Sequence, residues 1–341
     1  MALLTHGGQL AQIAKQFGIE QSQWLDLSTG IAPYHYPIGH IPLSAYQQLP
    51  QMNDELISAA ANYYGHESLT ITNGSQAVIK LLPSLWRDKS PRSAIVYLPK
   101  HGYKEHQHAW QQAQFTIRLY DDELPPLTTL NEHCVLVIIN PNNPTAKLFT
   151  KQEILIYQRH IASLNGLLIV DEAFMDIITP SQSIISSIDD SNIIILRSFG
   201  KFFGLAGIRI GFVLANRHWI AALTDSLGPW QVNGPAQFIA AQALSDNAWH
   251  TNQRKRLSQD TLAMVEMLQS TLNKNKLYRI THTDLFITIY FNQPQLASQI
   301  FESLCQHAIY VRLCDDKQSL RFGIATAKQR TVLARILTLI S

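Results

Sequence analysis

Five short apolar runs constrain this chain more than any other feature: Ala94–Leu98, Val135–Ile139, Leu167–Val170, Ile193–Leu196 and Ile210–Leu214. They are rich in Ile, Val and Leu and lack clean apolar–polar alternation. Each therefore predicts a strand covered on both faces. Between them, Ser75–Leu85, Tyr103–Gln112 and Lys151–Leu164 read as helices, and Thr150 with Glu153 predicts a capping box at the start of the last. Strand and helix in alternation predict an α/β fold with a mostly parallel sheet flanked by helices.

The chain has 341 residues, beyond the length at which one core usually stops growing, so a second subdomain is expected. The character changes at Gly228-Pro229-Trp230-Gln231-Val232-Asn233-Gly234-Pro235. Helices over Ala236–Leu244 and Asn252–Asn273 are predicted to follow. Strands come next, around Leu285–Phe291, Ile309–Leu313 and Leu320–Gly323, with a helix between the first two. That order suits a smaller α+β domain. Pro33, Pro37 and Pro42 with several glycines predict a first segment of little regular structure. The expected division is an N-terminal arm at 1–45 packing with the small domain, a large domain at 46–228 and a small C-terminal domain at 229–341.

Hydrophobic residues make up 46% of the chain and charged residues 15%, with a net charge of +2, so nothing favours nucleic acid or anionic lipid as a partner. No apolar run is long enough to span a bilayer. Cys134, Cys305 and Cys314 form no Cys-x-x-Cys pair, and the first ten residues lack the pattern of a secretory signal. A reducing, cytoplasmic setting is expected.

Chemistry concentrates at Lys201, in Ser198-Phe199-Gly200-Lys201-Phe202-Phe203-Gly204-Leu205-Ala206-Gly207-Ile208-Arg209. A strand-like run ends in a hydroxyl residue, a lysine follows three positions on, then glycines and an arginine. An amine attacks an aldehyde only when neutral, which Phe199, Phe202, Phe203 and the charge of Arg209 would favour. Asp171 closes the run Leu167–Val170, at the carboxyl end of a predicted buried strand, where α/β folds place active groups. Facing a pyridine nitrogen, it would keep that nitrogen protonated; the competing reading is a helix cap. Asn143, in a proline-bounded turn, could donate to a ring oxygen, although Asn-Pro also marks ordinary turns. Gly74-Ser75-Gln76 opens a helix whose free N–H groups suit a phosphate, a cup that Ser198 and Arg209 would complete. Together these residues suggest pyridoxal 5′-phosphate (PLP) chemistry.

Arg321 and Arg312 lie on two late strands, and a guanidinium fits a carboxylate bidentately. Tyr103, or alternatively His101, could stack on the cofactor. His101, His106 and His108 do not make a metal set, because His106 and His108 point to different helix faces and no carboxylate or cysteine completes a familiar site. No metal is expected.

These residues resemble the fold-type I PLP enzymes of the aspartate aminotransferase superfamily. The likeness runs from Gly74-Ser75-Gln76 through Asn140–Thr145 and Asp171-Glu172-Ala173-Phe174 to Ser198–Arg209 and Arg321. It implies the PLP-dependent transferase fold. It also implies Lys201 and Asp171 as catalytic residues, cofactor contacts at Gly74, Ser75, Gln76, Tyr103, Asn143, Phe174, Ser198 and Arg209, and a carboxylate contact at Arg321. His6-Gly7-Gly8, Leu25–Pro33 (with Gly30), Tyr36-Pro37 and Leu49-Pro50 are similar to the threonine-phosphate decarboxylases of cobalamin synthesis. That branch implies removal of CO2 from L-threonine O-3-phosphate to give (R)-1-amino-2-propanol O-2-phosphate. His6, Gly7, Gly30, Asn143, Arg312 and Arg321 are then candidates to contact this small phosphorylated amino acid. The alternative is a histidinol-phosphate-type aminotransferase. Either branch implies a homodimer. Three departures weaken the aminotransferase reading: Phe174 where a tyrosine usually donates to the ring oxygen, Leu49 where Tyr-Pro is usual, and Ala146 where a glycine usually follows Asn-Pro-Thr.

Overall fold

The computed structural model describes residues 7–91, 93–188, 191–272 and 277–340. Two compact units divide the chain. One comprises Tyr36–Asn143 and Lys147–Trp249; the other comprises Met1–His35, Pro144–Ala146 and His250–Ser341.

The first unit is built on a seven-stranded sheet. In space the strands run Leu69–Thr72, Gly211–Ala215, Ile193–Ser198, Leu167–Asp171, Val135–Ile139, Ile95–Pro99 and Thr116–Tyr120. All five predicted runs are strands, displaced by one residue at most at their start. Gly211–Ala215 is antiparallel to both neighbours, and the remaining pairs are parallel. Every residue of Val135–Ile139 and Leu167–Asp171 is buried, which accounts for runs without alternation. Helix Ser75–Arg87 contributes Val78, Ile79, Leu82 and Trp86 to the core at one-turn spacing, and these meet Val135, Val137, Leu167 and Ile169 of the sheet. Each such side chain, fully withdrawn from water, is worth roughly 1.5–3 kcal/mol. The capping box is present at Lys151–Ser163: Thr150 accepts from the Glu153 amide while Glu153 accepts from the Thr150 amide.

The Pro/Gly-rich stretch at 228–235 lies inside this unit. Helix Gly234–Ser245 follows it and is anchored by Gln237, whose Oε1 accepts the Asn53 amide at 3.1 Å ahead of helix Asp54–Tyr64. Asp246 then accepts the Trp249 amide at 2.9 Å, so the next helix begins at Asn247, earlier than the predicted Asn252.

The second unit has a four-stranded sheet in the order Arg312–Leu313, Ser319–Gly323, Phe286–Phe291, Leu277–Thr283, antiparallel throughout. Its core joins Ile287, Ile289, Leu320 and Phe322 with Met264 and Leu268 of the long helix Asn247–Thr271 and Leu333 of Ala327–Ile340. The opening segment is more regular than expected. Helix Leu10–Phe17 places Leu10, Ile13, Ala14 and Phe17 on one face, where they pack with Trp24, Cys305 and Tyr310. Leu25–Asp26 pairs in parallel with Ile309–Tyr310.

Candidate active site

In the first unit, the sequence-predicted residues gather at the carboxyl ends of neighbouring strands. Strand Leu69–Thr72 ends just before Gly74, whose φ of +69° is a left-handed conformation open to glycine at low cost. Gly74 caps helix Ser75–Arg87 without a side-chain cap, which leaves the first N–H groups directed outward. A Cβ on Gly74 would sit 2.9 Å from Arg209 Nη2, so the guanidinium lies directly over this turn. Gly211 is required for a similar reason: its Cβ would sit 2.9 Å from the Ser75 amide nitrogen. Ser198 pairs with Gly211 across the sheet, bringing its hydroxyl-bearing residue beside the same turn. Bare helix N–H groups, a hydroxyl and a guanidinium are donors of the kind that can hold a phosphate.

Asp171 ends its strand opposite Leu196 and is 3% exposed. Its Oδ1 accepts the Ala173 amide at 3.1 Å, and its Oδ2 lies 2.9 Å from His106 Nε2. His106 is itself buried, and Nδ1 has no hydrogen-bond partner. The tautomer assigned by this environment carries the proton on Nε2, donating to Asp171. A buried carboxylate fixed by two donors is well suited to face a protonated ring nitrogen.

His106 also has an aromatic neighbour. Tyr103 meets it edge-on, with centroids 6.4 Å apart. The Tyr103 hydroxyl donates to Gln76 Oε1 at 3.0 Å, and Gln76 Nε2 donates to Glu105 at 2.5 Å. Gln76 therefore ties the phosphate turn to the helix that bears His106. His101 enters differently, through its backbone carbonyl, which accepts from Asn142 Nδ2 at 2.6 Å. Asn140 is likewise structural, exchanging two hydrogen bonds with the Phe149 backbone. Asn143 is buried at the end of this loop.

Lys201 lies in the four-residue helix Phe199–Phe202 and is half-buried, while its chain neighbours Phe199, Phe202 and Phe203 are fully buried. Gly200 lets this turn pack closely, since a Cβ there would come within 2.5 Å of Ala206 Cα. Lys201 Nζ is 5.8 Å from the centroid of the Phe174 ring. Sequence reasoning missed His106 as the partner of Asp171. The available signal was its spacing with the buried Ala109 and Trp110, which sets it on the inward face of its helix.

In the second unit, Arg312 and Arg321 are directly paired across antiparallel strands, and both are buried. Arg321 Nη2 donates to the Ser28 carbonyl at 2.5 Å, and Arg312 Nη2 lies 3.6 Å from Asp315. Burial, reinforced by the neighbouring Arg312 charge, pushes Arg321 down to about 10. Gly7 belongs to the same cluster: its Cβ would sit 3.3 Å from Arg321 Nη2, and the Gly8 amide donates to Ser28 Oγ at 2.8 Å. Gly30 is buried two residues beyond Ser28. His6 lies outside the described residues.

The residues of the first unit fit a phosphorylated pyridine aldehyde: bare amides at the Gly74 turn beneath the Arg209 guanidinium, a buried acid at Asp171 and an amine at Lys201. The model of the family "Aminotransferase class I and II" matches residues 44–337. The chain belongs to that family. It is 39% identical to a threonine-phosphate decarboxylase of Pseudomonas aeruginosa, over 94% of this chain and 93% of the relative. A threonine-phosphate decarboxylase of Sinorhizobium sp is 36% identical, over 95% and 94%. A histidinol-phosphate aminotransferase of Buchnera aphidicola is 28% identical, over 80% and 77%. Among solved structures, the histidinol-phosphate aminotransferase of Sinorhizobium meliloti in complex with pyridoxal 5′-phosphate has a TM-score of 0.77 at 19% identity, covering 99% of this chain and 95% of that one. The PLP-dependent transferase fold expected from the sequence is the fold observed.

Proposed function

We propose that this protein is a PLP-dependent carboxy-lyase of cobalamin synthesis that converts L-threonine O-3-phosphate to (R)-1-amino-2-propanol O-2-phosphate. The observation that carries the reading is the identity of 39% and 36% to two threonine-phosphate decarboxylases across almost the whole chain, against 28% to a histidinol-phosphate aminotransferase. Phe174 agrees with it, since a phenyl ring offers no hydroxyl to the ring oxygen of a cofactor.

When bound, PLP supplies an electron sink for the substrate Cα. The chain's own residues do the rest. The Gly74–Ser75 turn, Ser198 and Arg209 hold the cofactor phosphate. Asp171 keeps a proton at the ring nitrogen, His106 holds Asp171, and Asn143 donates to the ring oxygen. Tyr103, its hydroxyl fixed by Gln76, would lie against the cofactor ring. Lys201 would supply the amine that holds the cofactor aldehyde and, once released, a proton for the substrate Cα. Arg321 takes the substrate carboxylate, and Arg312, His6, Gly7 and Gly30 serve the substrate phosphate. Gripping both the carboxylate and the remote phosphate would let these side chains orient the substrate so that loss of CO2 is favoured over loss of the Cα proton.

The protein is further proposed to be a cytoplasmic homodimer. Support for dimerisation comes from Leu43, Tyr46, Leu49, Met52 and Trp230, each at least half exposed. Met52 and Trp230 also line a groove of about 520 Å³ with Pro50 and Pro229. Apolar exposure on this scale marks an interaction surface. The three buried, unpaired cysteines suit a reducing compartment. Among the described residues, no helix is long and apolar enough to cross a membrane.

The deciding experiment incubates purified protein and PLP with L-threonine phosphate, without a keto acid. CO2 and the amino-alcohol phosphate are expected in equal amounts. Absence of CO2, with glutamate formed from histidinol phosphate and 2-oxoglutarate, would overturn the proposal.

A further inference from the structure

Four residues before Lys201, directly after the apolar run Ile193–Leu196 of its strand, stands Arg197, which is 5% exposed. Its Nη1 donates to Glu172 Oε2 at 2.8 Å, and its Nη2 pairs with Asp176 Oδ1. Both carboxylates are almost completely withdrawn from solvent. Glu172 is held further by Ser183 Oγ at 2.7 Å and the Ile184 amide at 3.4 Å. Tyr63 donates to Asp176 at 3.1 Å, and the guanidinium carbon lies 4.8 Å from the centroid of the Tyr64 ring.

The two carboxylates bracket the segment that bears Phe174, and Glu172 directly follows Asp171. The Glu172 amide donates to the Leu196 carbonyl at 2.9 Å, extending the ladder to the residue next to Arg197. One planar group thus spans the turn after Asp171 and the strand that delivers Lys201. A bidentate, desolvated guanidinium is stiff in a way that an ammonium is not.

We propose that Arg197 is a positioning residue: by bridging Glu172 and Asp176 it fixes the Lys201 amine relative to Asp171 and Phe174. The inference rests on Lys201 and Asp171 acting on a common cofactor, and it assigns Arg197 no contact with substrate.

The test uses Arg197→Lys, which keeps the charge but cannot reproduce the fork, in the full-length protein. In the cofactor-free protein, amides of 172–177 and 198–203 should exchange with deuterium about tenfold faster than in wild type, while helix Ser75–Arg87 is unchanged. In the PLP-loaded protein, kcat for L-threonine phosphate should fall about 10- to 100-fold with KM within threefold. The pH titration of the visible absorbance band should also be displaced. Should Arg197→Lys fail to fold, the triple variant Arg197→Met, Glu172→Gln, Asp176→Asn removes every charge together and should show the same pattern, since a buried ion cluster replaced as a whole is tolerated. Wild-type exchange in both segments, with wild-type kcat and titration, would overturn the inference. Wild-type protein that forms no visible band would instead overturn the cofactor reading, and the exchange measurement would still decide whether Arg197 clamps the two segments.

Discussion

Replacing His106 by leucine tests the polar interior of the site without reference to any reaction. Leucine has similar bulk and belongs comfortably beside Ala109 and Trp110, so the main loss is the contact with Asp171 at 2.9 Å. Asp171 would keep only the Ala173 amide at 3.1 Å. A hydrogen bond to a charged group contributes about 1.5–3 kcal/mol, and stranding a buried carboxylate raises the cost, so a loss of about 2–4 kcal/mol is expected. For a unit of this size each kcal/mol lowers the melting temperature by about 2–4 °C, which predicts a fall of roughly 4–16 °C. Thermal unfolding of cofactor-free wild type, His106→Leu, Asp171→Asn and the double variant completes a cycle. The coupling between the two sites should reach about 1.5–3 kcal/mol, because the double variant no longer buries an unpaired charge. A coupling below about 0.5 kcal/mol, within ordinary additivity, would refute the reasoning.

Ala146 has φ +59°, a left-handed conformation that strains an L-residue by about 1–2 kcal/mol. Ala146→Gly should therefore raise stability by about 0.5–1 kcal/mol after the greater freedom of the unfolded glycine is counted; a lower urea midpoint would contradict this. Gly74→Ala should weaken PLP binding about tenfold or more in a fluorescence titration, since the new methyl would need Arg209 to move and φ +69° is strained for alanine. Burial pushes the Cys134 thiol up from its ordinary 9.0 to about 11. The unfolded thiol ionises first, so this contribution is intact below pH 9 and is lost as pH rises toward 11. Cys134→Ala should remove about 2–3 kcal/mol of that alkaline loss, seen as a shallower stability profile between those pH values.

Strands were legible because burial on both faces leaves a continuous apolar signature, as in Val135–Ile139. Their direction was less so: Gly211–Ala215 reads like its parallel neighbours, and only pairing reveals it as antiparallel. Lys201 and Asp171 stood out because each sits just beyond an apolar run, where side chains turn toward a site. His106 and Arg197 did not. Their partners are 65 residues away in one case and 21 to 25 in the other, and no local pattern encodes such meetings. In each case the usable clue was a polar group set among buried apolar neighbours. The opening helix was obscured by the prolines that follow it, although its apolar stripe at Leu10, Ile13, Ala14 and Phe17 was present.

The pairing of Arg312 with Arg321 across one ladder has a thermodynamic consequence for the unit that carries it. Two like charges held side by side and partly stripped of water make the folded form pay a repulsion that the extended chain avoids. An anion reaching both would relieve that repulsion and so act as a ligand-induced stabiliser, by the ordinary linkage between binding and unfolding. Recognition and foldedness would then be coupled in this unit, and its resistance to denaturation would report the concentration of the anions it recognises.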